Sequence, residues 1–218
     1  MSKQTIWQRL KAKGFSDIAA AAIMGNMEAE SNCTSIRVQG DFSKGYQRST
    51  EYTAQVDAGN INRHEFIYDG PGGGGYGLCQ WTFQPRKAGL YDLAKKMGTS
   101  IGDEAMQIEW LCQELQQSEF KKVLATLMES PSIRECSDVI VKIFEKPADQ
   151  GEAVLKQRAE FGRAMYQEFS KGEAEDPEGI PADGLITITG EQFETFSKAV
   201  LVVKMLRDLF TLVKEFDA

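Results

Sequence analysis

Near the start of the chain apolar residues recur at helical spacing. Ile6, Trp7 and Leu10 fall on one face, and Gly14 breaks the run. Ser16 or Asp17 is placed to cap a second helix reaching about Glu30. From residue 32 to about 85 the periodicity vanishes. That stretch is rich in Gly, Ser, Thr, Asn and Tyr and carries Gly70-Pro71-Gly72-Gly73-Gly74-Gly75-Tyr76-Gly77. A long irregular segment inside a compact domain is usually functional or disordered. Helical spacing returns at 86–97, 103–117, 120–128, 132–144 and 151–169, so the expected fold class is mainly α, with a domain over 1–170.

Residues 171–183, KGEAEDPEGIPAD, are acidic, contain two prolines and have almost no apolar side chains, which predicts a linker. Beyond it, LITIT at 185–189 suits a short strand and 191–216 one helix. Thr195, Ala199, Val202, Leu206, Leu209, Val213 and Phe216 form a heptad-like stripe on that helix. So much apolar surface needs a partner. It either folds back onto the main domain or associates with a second copy, and the polar linker favours a homo-oligomer.

Composition narrows the function classes. With 218 residues, 42% of them hydrophobic, the chain can build one well-packed domain and a small appendage. A net charge of −7 argues against nucleic acid, because phosphate binding needs a basic surface; a neutral or mixed-charge polymer such as a glycan is compatible. The first residues lack the apolar core of a secretory signal, and the most apolar stretch, 199–213, contains Lys204, Arg207 and Asp208. A soluble protein without membrane insertion is expected. Cys33, Cys79, Cys112 and Cys136 are scattered with no metal-ligand spacing, so reduced thiols, no metal and no cofactor are expected.

On a helical wheel turning about 100° per residue, Glu30 falls between Ala19 and Ile23, near Phe15 and Met27. Glu28 lies about 160° away by the same count, beside Met24 and Ala21. A carboxyl at the end of an apolar face loses hydration, and its pKa rises as a general acid requires. If the helix instead ends at Gly25-Asn26, both glutamates are solvated; the wheel leaves this open. The segment Gly77-Leu78-Cys79-Gln80-Trp81-Thr82 combines a glycine-permitted turn with aromatic and amide side chains suited to a sugar. Tyr76, Gln80 and Trp81 are its candidate substrate-binding residues, although taken in isolation such a segment is more often a flexible loop leading into a core tryptophan. No Gly-Lys-Ser/Thr follows the glycine run, so it is not a phosphate loop.

Taken together, Gly25-Asn26-Met27-Glu28-Ala29-Glu30-Ser31, Gly75-Tyr76-Gly77-Leu78-Cys79-Gln80-Trp81-Thr82 and Phe144-Glu145-Lys146-Pro147-Ala148-Asp149 resemble the phage-tail-type lysozyme domain, over roughly residues 4–169. The resemblance implies a lysozyme-like helical catalytic domain whose irregular region lines a cleft. It implies Glu30 as general acid and Gln80 facing the glycan. Tyr166 resembles the tyrosine that closes the glutamate pocket in goose-type and transglycosylase relatives, though no Ala-Tyr-Asn motif accompanies it. The reaction implied is cleavage of the β-1,4 bond between N-acetylmuramic acid and N-acetylglucosamine in bacterial peptidoglycan. A hydrolase needs a second carboxylate to activate water, and Glu51, Asp57 and Asp69 lie in the irregular region, Asp57 being the first choice. Without one, the muramyl 6-hydroxyl attacks and the enzyme is a lytic transglycosylase. A non-catalytic glycan-binding or tail protein is the third reading.

The compact length and the absence of a signal peptide point to an endolysin made in the host cytoplasm and released to the wall by a holin. His64 is the sole histidine, which argues against a zinc amidase or endopeptidase. Cys33 or Cys79 paired with His64 matches no catalytic spacing, and a surface His64 between Arg63 and Glu65 is expected.

Overall fold

A computed structural model describes residues 2–71 and 74–170. The calls on the linker, the LITIT strand and the oligomerising helix lie outside the described residues. Those that are described form nine α-helices: α1 (Lys3–Ala12), α2 (Asp17–Ser31), α3 (Gln47–Asp57), α4 (Arg63–Tyr68), α5 (Gln84–Met97), α6 (Glu104–Leu115), α7 (Lys121–Glu129), α8 (Ile133–Val139) and α9 (Glu152–Phe169). A π-helical segment, Ile140–Glu145, continues α8. The mainly α class is as expected.

Helix α2 is the central element, packed against α9, α8 and α1. Ser16 caps it by accepting from the Ala19 N–H at 3.1 Å, and Asp17 complements the positive end of the helix dipole. Residues Ala19 to Met27 are all buried. The helix does not end at Gly25-Asn26. Glycine is needed there because a Cβ would stand 2.4 Å from the Gly162 nitrogen and 2.7 Å from the Arg158 carbonyl of α9. Inside the core the Asn26 amide nitrogen donates to Ala22 O at 2.9 Å and Ser137 Oγ at 3.1 Å, while its oxygen has no partner among the described residues. Helix α2 therefore runs through to Ser31, where Asn32 turns left-handed (φ 55°) and stops it.

The stretch expected to be irregular contains α3 and α4. Helix α3 buries Ser49, Thr53 and Val56, a helical stripe made mostly of hydroxyl residues and so invisible to a hydropathy pattern. Ser49 Oγ accepts from the Val38 N–H at 3.0 Å, and Thr53 Oγ1 lies 2.7 Å from Tyr76 Oη. A capping box opens α4, with Asn62 and Glu65 exchanging side-chain and backbone hydrogen bonds. Extended pairing among the described residues is limited to the antiparallel bridges Val38 to Tyr76 and Tyr76 to Trp81. These hold residues 37–39 against 75–77, with Gly77 N donating to Arg37 O at 2.8 Å.

Candidate active site

The end of α2 is tied to the glycine-rich turn. Ser31 Oγ lies 3.0 Å from Met27 O and 2.9 Å from Leu78 O, so the residue after Glu30 clasps the turn that carries Gln80. Gln107 of α6 fixes the other side of this turn. Its amide oxygen accepts from Leu78 N at 2.9 Å, while its nitrogen donates to Ser35 O and Ile101 O at 2.7 and 2.8 Å. Gly77 must be glycine: its φ is 79°, and a Cβ would come within 2.6 Å of Gln107 Oε1. These constraints open a cleft of about 610 Å³. Glu30 and Glu145 line its carboxylate side, Lys146 stands beside them, and Arg37, Gln80 and Phe83 line the loop side.

Glu30 is not alone. Arg158 of α9 reaches across the close α2–α9 contact, Nη2 donating to Glu30 Oε1 at 2.6 Å and Nη1 to Glu145 Oε2 at 2.7 Å. Glu145, its side chain only 4% exposed, ends the π-helical segment and shares the Arg158 guanidinium with Glu30. Burial, then the charge of Glu30, push the Glu145 carboxyl up to about 8, against the opposing pull of Arg158 and Arg86. The segment carrying Glu145 is anchored by Arg86, whose Nη1 donates to Phe144 O at 2.9 Å and whose guanidinium lies 4.1 Å from the Phe144 ring centre. Arg86 in turn binds fully buried Glu114, which also accepts from Trp81 Nε1 at 2.6 Å. Burial raises the Glu114 carboxyl despite these donors.

Of the residues expected from sequence, Glu30 and Gln80 meet in the cleft. The Gln80 amide nitrogen is spent on Arg37 O and Gly77 O, both at 3.0 Å. Glu28 points away, paired with Lys3 at 2.8 Å. Asp57 is not brought to Glu30: it accepts from Ser100 Oγ and from Ile101 N at 2.9 Å and borders a separate surface depression with Lys95 and Gly98, so its role is to fix the 98–101 turn. Glu51 and Asp69 do not line the cleft either.

Tyr76 and Trp81 are each 1% exposed and hold the scaffold, Tyr76 among Tyr52 and Phe66 and Trp81 on Glu114. A buried ring has no face left for a sugar. Tyr166 packs half-buried against the core and is not a cleft residue. His64 is exposed and stacks on Tyr68 at 4.7 Å. Burial pushes the Cys79 thiol well up, away from reactivity.

Sequence reasoning missed Glu145, Arg158, Arg37 and Phe83. Arg158 had a signal: it sits within the stripe Leu155, Ala159, Gly162, Met165 and Phe169, where a charge needs a buried partner. Glu145 lay in one of the quoted motifs but carried no role. Among the described residues no group of His, Cys, Asp and Glu is placed to hold a metal ion, and no helix is long and apolar enough to cross a membrane.

A search of curated proteins finds no match. A family model described as phage tail lysozyme matches residues 2–169, a span that contains all nine helices and every cleft residue named above. With its lysozyme-like helical body and its glutamate-floored cleft, the chain belongs to the phage tail lysozyme family, whose action is lytic and directed at peptidoglycan.

Proposed function

We propose that the protein cleaves the β-1,4 bond between N-acetylmuramic acid and N-acetylglucosamine, with Glu30 as the proton donor. The supporting observation is that Glu30 and a buried second carboxyl, Glu145, are bound by one arginine. Glu145 keeps its proton into the neutral range because burial and the neighbouring charge oppose ionisation. The pair on Arg158 thus holds a proton, and Glu30, the more exposed of the two at 19%, delivers it to the leaving oxygen as an oxocarbenium-like centre develops. Arg158 then sits between the carboxylates left behind. Arg86, bound to buried Glu114 and to Phe144 O, keeps the segment carrying Glu145 in place while a sugar chain occupies the cleft.

One observation bears on the second half of the reaction. Glu30 and Glu145 are both engaged by the one guanidinium of Arg158, whereas hydrolysis needs a second carboxylate free to activate water or to attack the sugar. No other carboxylate among the described residues lines the cleft. This favours attack by the muramyl 6-hydroxyl, a transglycosylase outcome, over attack by activated water.

The test is turbidity loss and mass-resolved fragment release from purified peptidoglycan by wild type and by Glu30→Gln. Wild type releases disaccharide-repeat fragments, and Glu30→Gln is slower by about 10²–10⁴-fold. Anhydromuramic ends mark transglycosylation and reducing ends mark hydrolysis. Equal activity of the two proteins removes Glu30 from its role; wall binding without release by either supports the non-catalytic reading.

A further inference from the structure

Across the cleft from the carboxyl pair the structure holds a cation that nothing in the proton-transfer chemistry uses. Arg86 and Arg158 are each committed to buried glutamates. Arg37, which lines the same cleft half-buried, has no carboxylate partner among the described residues. Its guanidinium instead lies 4.4 Å from the centre of the Tyr46 ring and 5.9 Å from that of Phe42. A cation held over an aromatic ring in this way keeps its N–H groups for other acceptors, and no N–H of the Arg37 guanidinium has a hydrogen-bond partner among the described residues.

The platform beneath Arg37 is built rather than incidental. Tyr46 is left-handed (φ 55°), a conformation that strains a bulky residue and persists only when its surroundings enforce it. Its hydroxyl accepts from Asn32 Nδ2 at 3.0 Å, which ties it to the residue ending the Glu30 helix. The loop between them is closed by Asp41, which accepts from Ser43 N at 2.9 Å and Ser49 N at 2.8 Å. Asp41 is thereby engaged, and Glu30 is held by Arg158, so neither neighbouring acid neutralises Arg37. Large apolar side chains meet water nearby: Phe83, which lines the cleft, is 62% exposed, and Phe42, its ring centre 5.9 Å from the Arg37 guanidinium, is 91% exposed.

We propose that Arg37 is a substrate-recognition residue that binds a carboxylate carried on the muramyl sugar, with Phe42 and Phe83 offering apolar contact to the groups beside it. This rests on the peptidoglycan reading above. A planar two-oxygen acceptor matches the free fork, and in peptidoglycan such acceptors hang from the muramyl ring alone: a carboxylate of the stem peptide, or the lactyl carboxylate where the peptide has been removed. The site therefore distinguishes muramyl-containing strands from neutral chitin-type chains, which have the same backbone linkage and no anion.

The experiment measures binding of full-length Glu30→Gln, with and without Arg37→Ala or Arg37→Lys, to three soluble ligands of equal length. These are peptide-bearing strands, amidase-stripped strands with free lactyl carboxylates, and neutral chitooligosaccharides. Fragment release from intact wall by wild type and by Arg37→Ala is followed in parallel. The expected result is a loss of affinity of about tenfold or more in Arg37→Ala for one carboxylate ligand, exceeding its loss for the neutral chain, with Arg37→Lys recovering only part. The ligand that loses most identifies which carboxylate is read. Equal losses on all three ligands, or none on any, overturn the proposal. Wild-type lysis of the wall with no dependence on Arg37 overturns it alone, whereas absence of both lysis and binding removes the peptidoglycan reading and this inference together. Arg37→Ala keeps the backbone carbonyl through which residue 37 accepts from Gly77 N and Gln80 Nε2, so the hydrogen bonds that hold this segment survive the substitution.

Discussion

The two sides of the cleft are built on opposite plans. On the helical side Glu30, Glu145 and Arg158 come from α2, the π-helical segment and α9, bonded to one another and largely withdrawn from water. On the loop side Arg37 and Phe83 come from short connecting segments, and Phe83 faces solvent, as does Phe42 near Arg37. A proton donor needs fixed geometry and low dielectric, which close-packed helices supply. A surface that meets a variable polymer needs unspent donors and open rings, which loops held at their base supply.

If this division is right, mutations on the two sides separate by what they damage. The largest contrast is between Glu30→Gln and Gln80→Ala. Loss of the proton donor lowers kcat by about 10²–10⁴-fold, while Gln80→Ala costs about tenfold or less, because its amide nitrogen braces two backbone carbonyls and touches no proton in transit. Steady-state kinetics on solubilised strands decides. A Gln80→Ala defect as deep as that of Glu30→Gln would erase the contrast.

Next in size is the arginine that joins the carboxyls. Arg158→Met strands two acids in a site where Arg158 itself is only 9% exposed, and removing one partner of such a buried pair costs about 3–5 kcal/mol when the acids are charged. The penalty depends on pH. The folded protein holds the Glu145 proton up to about 8, whereas an unfolded glutamate releases it near 4.5, so the folded state binds more protons between these values. The Glu145 contribution to stability is therefore complete below about 4.5 and is lost as pH rises toward 8. Urea unfolding across this window gives a falling stability in wild type, a steeper fall in Arg158→Met and a flatter one in Glu145→Gln. Parallel curves for all three would show that no such proton is held.

The same division explains what the sequence disclosed. Helices with apolar stripes were legible almost to their ends, and so was the place of Glu30 at the end of one of them, though not its partner Arg158. Helix α3 was not, since its buried stripe is Ser49, Thr53 and Val56, and α4 announced itself only through the Asn62–Glu65 cap. Tyr76 and Trp81 illustrate a different limit. An aromatic beside a glycine turn looks the same whether its ring meets a sugar or a core, and here partners distant in sequence, Thr53 and Glu114, settle it. Glu145 and Arg37 owe their surroundings to contacts across the fold, with Arg158 and Glu30 in one case and the Tyr46 platform in the other, which no local pattern encodes.

The aromatics give the finest test. Trp81→Phe removes the indole N–H from Glu114 in a buried network, at a cost of about 1–3 kcal/mol and a Tm lower by about 2–4 °C for each of them. Its effect on glycan affinity is smaller than its effect on stability. Phe83→Ala reverses the order. Because its ring is 62% exposed at the start of α5, truncation leaves stability within about 0.5 kcal/mol of wild type. The lost contact with a sugar or its substituent, worth about 0.5–1.5 kcal/mol for an aromatic pairing, raises KM about two- to tenfold with little change in kcat. Thermal melts and initial rates on the same preparations decide. If Phe83→Ala melts early with unaltered KM, or if Trp81→Phe weakens binding without melting early, the exposed and buried rings have exchanged the roles assigned to them.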